Sequence, residues 1–148
     1  MNETKNGRSL RNVAMDFLAR REHSEQELRR KLNARHDDSA AVDTVLHQLK
    51  AERLQSDERF TESYVNHRFN AGIGPLKIRH ELRQKGIDDL LVDSFLEPLA
   101  DEWEQMMRQQ RVRKFGETLP ADYAARMKQA RFLQNRGFSP ESVMRLFR

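Results

Sequence analysis

The chain has 148 residues, no cysteine and a formal net charge of +4, with 37% hydrophobic and 34% charged residues. The length fits one compact domain or a short array of small units, and the lack of cysteine excludes disulfides and thiolate metal sites. The low apolar share favours thin helical layers that expose much of their surface. Neither a signal peptide nor an apolar run of the ~20 residues that span a bilayer is recognisable, so we expect a cytoplasmic protein with no membrane partner.

The first third of the chain is predicted to form a polar tail followed by three helices. Residues 1–8 are polar and are expected to be a flexible tail, and residues 9–22 carry apolar positions at helical spacing. Ser24 and Glu27 form a capping-box pattern at the start of a second helix, in which each side chain bonds the other residue's backbone N–H. A third helix is expected to begin near Asp38, with apolar residues in register behind it.

The same succession of signals follows twice more. A helix opens at Asp57, and Gly74 followed by proline starts the next one, because the missing N–H of proline costs nothing in a first turn. Gly86 predicts a left-handed helix stop, with the apolar residue after it folded onto the last turn. Gly137 and Ser139 repeat the stop and the next start. No stretch shows the alternation of a β-strand, so the expected class is all-α.

Alignment of the chain with itself reveals an internal repeat, with a spacing of 50 between the first two units and of 51 between the second and the third. The matched residues are Leu28 with Ile78, Leu32 with Leu82 and Leu133, Val42 with Val92 and Val143, Leu46 with Leu96, Leu49 with Leu99, Gly86 with Gly137, and Ile87 with Phe138. We expect three tandem three-helix repeats at residues 9–55, 56–98 and 99–148. They should stack into an elongated, curved array, because one such unit buries too little apolar surface alone.

The first repeat departs from the pattern at its second helix. His36 stands where the other two repeats have glycine. Because no residue there favours the left-handed conformation, we expect this helix to run on toward Asp38 without a left-handed stop.

Residues with catalytic or metal-binding potential are scattered. The five histidines form no HExxH pattern, and no serine lies in a G-x-S-x-G turn. The glycines of residues 72–74 follow no strand and precede no GK[ST] sequence, so they do not indicate a phosphate-binding loop. We therefore expect no metal site, no cofactor and no enzymatic activity.

Basic residues are enriched on the second helix of each repeat and after residue 107. Residues 108–136 carry eight bases and two acids, whereas residues 86–104 carry seven acids and no lysine or arginine. If the repeats stack regularly, the second helices form a basic strip suited to phosphates or to an acidic protein surface; the alternative interpretation is solvated helix faces. The candidate binding residues, assigned by charge, are Arg29, Arg30, Arg68, Lys77, Arg79, Arg83, Lys85, Arg113, Lys114, Arg126, Lys128, Arg131 and Arg136. The nearby aromatic residues Trp103, Phe115, Tyr123 and Phe132 fit core packing better than a base-stacking platform.

Three sets of residues, in order along the chain, resemble the repeat motifs of the RecX family, bacterial regulators of the RecA recombinase. The sets are residues 21–28 with Lys31 and Leu32; Asp57-x-x-Phe60 with Tyr64, Arg68, Gly74, Ile78, Leu82, Gly86 and Ile87; and residues 113–116 with Phe132, Leu133 and residues 136–138. The resemblance covers nearly the whole chain after the tail. It implies a fold of three tandem three-helix repeats, which the internal alignment indicates independently.

The resemblance also implies a function. Members of the family bind RecA in the groove of the RecA–DNA filament and hinder filament extension. ATP hydrolysis, strand exchange and the co-protease activity of the SOS response decline with it, which places such a protein in DNA repair and recombination. We expect a cytoplasmic monomer that binds the filament and contacts single- or double-stranded DNA. The alternative function is that of a helical nucleic-acid-binding module that acts without RecA.

Overall fold

The structure is a computed structural model that describes residues 3–4 and 7–148. Within this part of the chain it contains nine α-helices, one short 3-10 helix and no strand, apart from an isolated bridge between Glu3 and Ser9. The helices are α1 (Leu10–Arg20), α2 (Glu25–Asn33), α3 (Ser39–Ala51), α4 (Asp57–Asn70), α5 (Pro75–Gln84), α6 (Asp89–Leu96), the 3-10 helix (Glu97–Leu99), α7 (Ala100–Phe115), α8 (Tyr123–Asn135) and α9 (Pro140–Leu146). None of these helices is long and apolar enough to cross a membrane.

Three successive groups of three helices confirm the predicted repeat fold. We call α1–α3 the first repeat, α4–α6 the second and α7–α9 the third. The second helix of each repeat is therefore α2, α5 and α8, and these three helices carry eight of the thirteen candidate basic residues.

The predicted tail at residues 1–8 lies partly outside the described residues, because positions 1, 2, 5 and 6 are not described. Thr4 is buried, and its backbone N–H donates to the carbonyl of Arg8 at 2.6 Å. Arg8 in turn forms an ion pair with Asp16 of α1. The described part of the tail is therefore attached to the first repeat.

Local sequence signals set the helix ends. The Oγ of Ser24 accepts from the backbone N–H of Glu27 at 3.1 Å, and the N–H of Ser24 donates to the Glu27 carboxylate at 3.2 Å, so the predicted capping box is present. Gly86 and Gly137 have φ values of 81° and 105°, and the apolar residues that follow them are buried. Both predicted left-handed stops are thus confirmed.

The end of α2 is only partly as predicted. No residue there adopts a positive φ, which agrees with His36 in place of glycine. The expected extension toward Asp38 is wrong, because α2 ends at Asn33. Asp38 is extended and acts as the N-cap of α3, and its carboxylate accepts from two N–H groups of the first turn. Capping satisfies donors that would otherwise lack a partner, and this competes with continuation of α2.

Contacts divide the chain into two compact units whose boundary does not follow the repeats. The first unit comprises Met1–Ser63 and Arg83–Asp88, and the second comprises Tyr64–Leu82 and Asp89–Arg148. The residues at the end of α5 therefore group with the first repeat.

The apolar positions matched by the internal repeat are buried in both units, except Leu99, which is partly exposed. In the first unit, α1–α3 enclose a single apolar cluster. The matched residues with no exposed surface are Leu28, Leu32, Val42 and Leu49 in the first unit, and Ile78, Leu82, Val92, Leu133 and Val143 in the second. Burial of one aliphatic side chain of this size contributes about 1.5–3 kcal/mol to the free energy of folding. The residues matched at spacings of 50 and 51 are therefore among those that stabilise each repeat.

Two junctions between second helices have the same construction. In the first unit, Nε2 of Gln26 in the first turn of α2 donates to the carbonyl of Gln84 at the end of α5, at 3.0 Å. In the second unit, Nζ of Lys77 in the first turn of α5 donates to the carbonyl of Asn135 at the end of α8, at 3.5 Å. Both pairs are separated by 58 residues, and Lys77 lies one position after Leu76, the residue that the spacing of 50 matches with Gln26. The junction is therefore repeated in its location but not residue by residue.

The glycine stops allow the helices of each junction to approach. A Cβ on Gly86 would lie 2.9 Å from the Cβ of Gln26, and a Cβ on Gly137 would lie 2.6 Å from the Cβ of Lys77. In the second unit the backbones also bond directly, because the N–H of Gly74 donates to the carbonyl that precedes Gly137 at 2.6 Å. Each glycine therefore ends a helix and also leaves room for the preceding repeat.

Candidate functional site on the basic helices

Arg68 is the most firmly held of the thirteen candidate basic residues. Its Nε and Nη2 donate to the two carboxylate oxygens of Glu81 at 3.0 and 2.8 Å, and the hydroxyl of Tyr64 donates to the same carboxylate at 3.0 Å. The side chains of Arg68 and Glu81 are 25% and 21% exposed. Such a bidentate, partly buried pair fixes α4 against α5 and leaves little of the guanidinium for a partner.

A second ion pair occurs twice, at equivalent positions of two repeats. In the first repeat Arg29 of α2 contacts Asp43 of α3 at 3.1 Å. In the second repeat the guanidinium of Arg79 on α5 forms an ion pair with the carboxylate of Asp93 on α6, although the geometry is not that of a hydrogen bond. The arginine and the aspartate of the second pair each lie 50 residues after their counterparts in the first pair. In both repeats the arginine links the second helix to the third. The third repeat has Ala130 at the position of these arginines.

Lys85 belongs to the junction of the first unit, where it meets Glu27. Oε2 of Glu27 accepts from Nζ of Lys85 at 3.2 Å, and the carboxylate also accepts from Arg21 and from the N–H of Ser24. Burial alone would raise the pKa of Glu27, but the hydrogen bonds from Arg21 and Ser24 and the charges of Arg21 and Lys85 together lower it from 4.5 to about 2. This cation therefore stabilises the junction.

Next to this carboxylate lies a buried histidine that the sequence did not single out. Nδ1 of His23 lies 3.1 Å from the carbonyl of Arg21, and Nε2 lies 2.8 Å from Nζ of Lys31. The geometry fits a neutral ring that donates from Nδ1 and accepts at Nε2. Burial lowers the pKa of His23 below its usual 6.5, and the charges of Arg21 and Lys31 act in the same direction. His23 is therefore neutral and structural at neutral pH.

The remaining basic candidates are more available, and most of them lie in the third repeat. Arg30 on α2 and Arg83 on α5 have exposed side chains, as do Arg113, Lys128 and Arg131. Within the described chain Arg30, Arg113, Arg126, Lys128 and Arg131 make no ion pair. Arg113 lines a groove of ≈ 280 Å³ beside α7 together with polar residues that include Asn70 and Gln105.

Two cations of the third repeat lie over the ring of one phenylalanine, and a third lies one helical turn away. Nζ of Lys114 lies 5.7 Å from the centroid of the Phe132 ring, and Cζ of Arg136 lies 5.3 Å from it. Lys128 precedes Phe132 by four residues on α8 and so shares its face. The ring itself packs edge-on against Phe115, at a centroid distance of 5.4 Å and an angle of 90°. We call Lys114, Lys128, Phe132 and Arg136 the Phe132 cluster.

Arg111 has a role that its place in a basic run did not reveal. It is 4% exposed, and its guanidinium donates to Oε1 of Gln129 at 3.3 Å and to the carbonyl of Glu117 at 3.0 Å. The arginine thus joins α7, α8 and the loop between them. No sequence signal separates Arg111 from its exposed neighbour Arg113, because burial depends on which face of α7 meets α8.

The structure therefore sorts the candidate residues without bringing all of them together. Arg29, Arg68, Arg79 and Lys85 hold helices in place, whereas the Phe132 cluster is assembled on α7 and α8. A basic strip along all three repeats stays a prediction. Among the described residues, no three His, Asp or Glu side chains are grouped so as to hold a metal ion.

Comparison with known families matches the three repeats one by one. The model of the first three-helix domain of RecX matches residues 11–49, that of the second matches residues 56–96, and that of the third matches residues 100–147. The regulatory protein RecX of Pseudomonas fluorescens (strain SBW25) is 42% identical over 138 residues, which cover 93% of this chain and 89% of the relative. That of Halorhodospira halophila is 42% identical over 135 residues, or 91% and 84% of the two chains.

Solved structures agree with this assignment at the level of the fold. The crystal structure of RecX from Lactobacillus salivarius has a TM-score of 0.77 and 21% identity, and the match covers 93% of this chain and 94% of the other. A second crystal structure of regulatory protein RecX has a TM-score of 0.77 and 24% identity, and the match covers 94% and 71%. Three domain matches in order and relatives that align along nearly their whole length lead to one conclusion: the chain belongs to the RecX family of regulatory proteins.

Proposed function

We propose that this protein binds the RecA–DNA filament in its groove and limits filament extension. RecA-dependent ATP hydrolysis, strand exchange and SOS co-protease activity then decline together. The observation that carries this proposal is the match of all three repeats to the three RecX domains, in order and without a missing unit. The protein acts by binding, as a monomer in the cytoplasm, and carries out no catalytic step.

The distribution of free charge supports the proposal. A filament assembled on DNA offers phosphates and acidic protein surface, and several cations of the third repeat form no ion pair with any residue that the structure describes. In contrast, the arginines of α2 and α5 at positions 29 and 79 are paired with Asp43 and Asp93 of their own repeats. We therefore assign the filament contact mainly to α7 and α8 and the shape of the binding surface to the first two repeats.

Regulation by binding follows from mass action. A ligand that prefers one filament state stabilises that state by RT ln(1 + [L]/Kd), which is about 2.7 kcal/mol at a concentration one hundred times Kd. A preference of this size shifts assembly strongly without any chemical step.

The test is the rate of ATP hydrolysis by RecA on single-stranded DNA as the concentration of this protein rises. We expect turnover to fall and then to reach a plateau. A matched pair of variants separates specific charge from net charge: Arg131→Glu on α8 should weaken the effect, whereas Arg108→Glu, whose parent arginine is already paired with Glu104, should retain most of it. Unchanged turnover at saturating wild-type protein would refute the proposal.

The free cations of the third repeat also favour a second candidate, a nucleic-acid-binding module that acts without RecA. This candidate predicts tight binding to naked DNA with a steep dependence on salt, and the same affinity whether RecA is present or not. Tight binding to filaments with weak binding to naked DNA favours the regulator.

A further inference from the structure

We propose that the Phe132 cluster is a contact site for single-stranded nucleic acid, in which Lys114, Lys128 and Arg136 bind backbone phosphates and the Phe132 ring stacks on a base. The inference concerns direct binding to the nucleic acid and does not require that RecA be the regulated partner.

The charges around Phe132 are the first argument. Lys114 and Arg136 each lie within 6 Å of the same ring centroid, and Lys128 is one turn away on the same face of α8. Within the described chain none of the three forms an ion pair with a carboxylate; Arg136 has only the ring and the carbonyl of Ala71, at 3.5 Å. Like charges gathered at a surface repel each other unless an anion lies between them.

The contrast with the other repeats makes this charge distinctive. The cations Arg29 and Arg79 of α2 and α5 face aspartates on the next helix of their repeats. The third repeat has Ala130 and Met144 at the equivalent positions of the arginine and the aspartate, so this pair is absent there. The cations of α8 lie elsewhere on the helix and are left for an external anion.

The aromatic ring indicates which kind of nucleic acid fits. Phe132 is only partly buried, and its ring lies perpendicular to that of Phe115. Lys114 and Arg136 lie over the ring in the free protein, so a base would stack there as these cations turn to its phosphates. Single strands offer unstacked bases for such a contact, whereas duplexes keep their bases covered by their neighbours. Phosphate contacts alone would serve single strands and duplexes alike, so Phe132 is the residue that should discriminate between them.

The experiment measures the affinity of the full-length protein for a fluorescent oligothymidylate and for a duplex of equal length, without RecA, by fluorescence anisotropy. Phe132→Leu keeps an apolar side chain against Phe115 but removes the ring. We expect it to lower the affinity for the single strand about tenfold, the effect of losing one stacked base, and to leave duplex affinity unchanged. Phe132→Tyr keeps an aromatic ring and should bind like the wild type.

The lysines are tested separately, because neither takes part in a repeat junction. Lys114→Gln and Lys128→Gln should lower the affinity for both oligonucleotides. Each should also reduce the slope of log affinity against log salt concentration for the single strand by about 0.7. Arg108→Gln is the matched control, since its parent arginine lies on α7 and is paired with Glu104. Circular dichroism verifies that each variant is folded.

Three results would overturn the inference. The first is the absence of measurable single-strand binding by the wild type at low salt. The second is equal single-strand affinity of Phe132→Leu and the wild type. The third is a loss of action on RecA filaments by the lysine variants with unchanged oligonucleotide binding, which would make the cluster a protein contact. A protein that binds the oligonucleotide as described but leaves RecA turnover unchanged would refute the proposed function and not this inference.

Discussion

Replacement of Glu27 by glutamine tests how much the junction of the first unit contributes to stability. The carboxylate is 14% exposed and accepts hydrogen bonds from Arg21, from the N–H of Ser24 and from Lys85. Its pKa is about 2 in the folded protein, against 4.5 for a free side chain. Each unit of difference between the folded and unfolded pKa corresponds to about 1.36 kcal/mol, so ionisation of Glu27 contributes at most about 3 kcal/mol to the free energy of unfolding. Arg21 is half exposed, and solvent weakens that pair, so we expect Glu27→Gln to cost about 2 kcal/mol at pH 7.

The pH dependence of the same variant provides a stricter test. Because the folded pKa lies below the unfolded one, the stabilisation is complete well above pH 4.5 and is lost as the pH falls toward 2. Urea unfolding of the wild type and of Glu27→Gln should therefore differ by about 2 kcal/mol at pH 7 and by less than half of that at pH 3. Glu104→Gln, which breaks an exposed pair on α7, should change stability by less than about 0.5 kcal/mol. A Glu27→Gln variant as stable as the wild type at pH 7, or a difference that does not shrink in acid, would refute this reasoning.

Three further predictions concern the glycine stops, the buried histidine and the buried arginine. Gly137→Ala should lower the free energy of unfolding by about 2 kcal/mol or more in urea denaturation. Gly7→Ala, at a φ of 80° with nothing within 4 Å of a new Cβ, should cost only about 1 kcal/mol, and equal losses would contradict the role of close packing. The pKa of His23 is lower in the folded protein, so the stabilisation by the neutral ring is fully present above pH 6.5 and is lost as the pH falls. The melting temperature should therefore fall between pH 6.5 and 5, and His23→Gln should flatten this dependence. A pH dependence unchanged by the substitution would show that other groups cause it. Arg111→Met should speed amide hydrogen exchange in residues 116–122, and Arg108→Met should not; protection equal to that of the wild type would show that the buried guanidinium does not hold this loop.

The helix ends and the core could be predicted because their signals are local or periodic. The capping box of Ser24 and Glu27 depends on two residues three positions apart, and the glycine stop at Gly86 depends on one residue and its neighbour. The matched apolar positions follow helical geometry within one repeat and the repeat spacing beyond it. His36 illustrates the limit of such signals, because the missing glycine indicated that no left-handed stop would form but not where α2 would end.

The partners of the basic side chains could not be predicted in the same way. Arg68 pairs with Glu81 across 13 residues, and Lys85 pairs with Glu27 across 58. Such distances become short only after helices pack, and a single sequence contains no record of that packing. The charge pattern therefore could not distinguish a cation that pairs within its own repeat, such as Arg79, from one that forms no ion pair among the described residues, such as Lys128.

The glycine-ended junction has a consequence for how an array of this kind can change its length in evolution. Each junction has two halves, the first turn of one second helix and the glycine-ended terminus of the following one. The second repeat carries both halves, so an internal duplication of it would create a new junction of the same kind, although Lys77 stands at the position of Glu27 and the ion pair with Lys85 would not be reproduced. The first repeat has His36 and no left-handed residue at the end of α2, so it lacks a glycine-ended terminus. A repeat placed before it would therefore have no such terminus against which to pack the first turn of its second helix. Gene duplication can therefore lengthen the array from within, but a unit added ahead of the first repeat would find no complementary helix end.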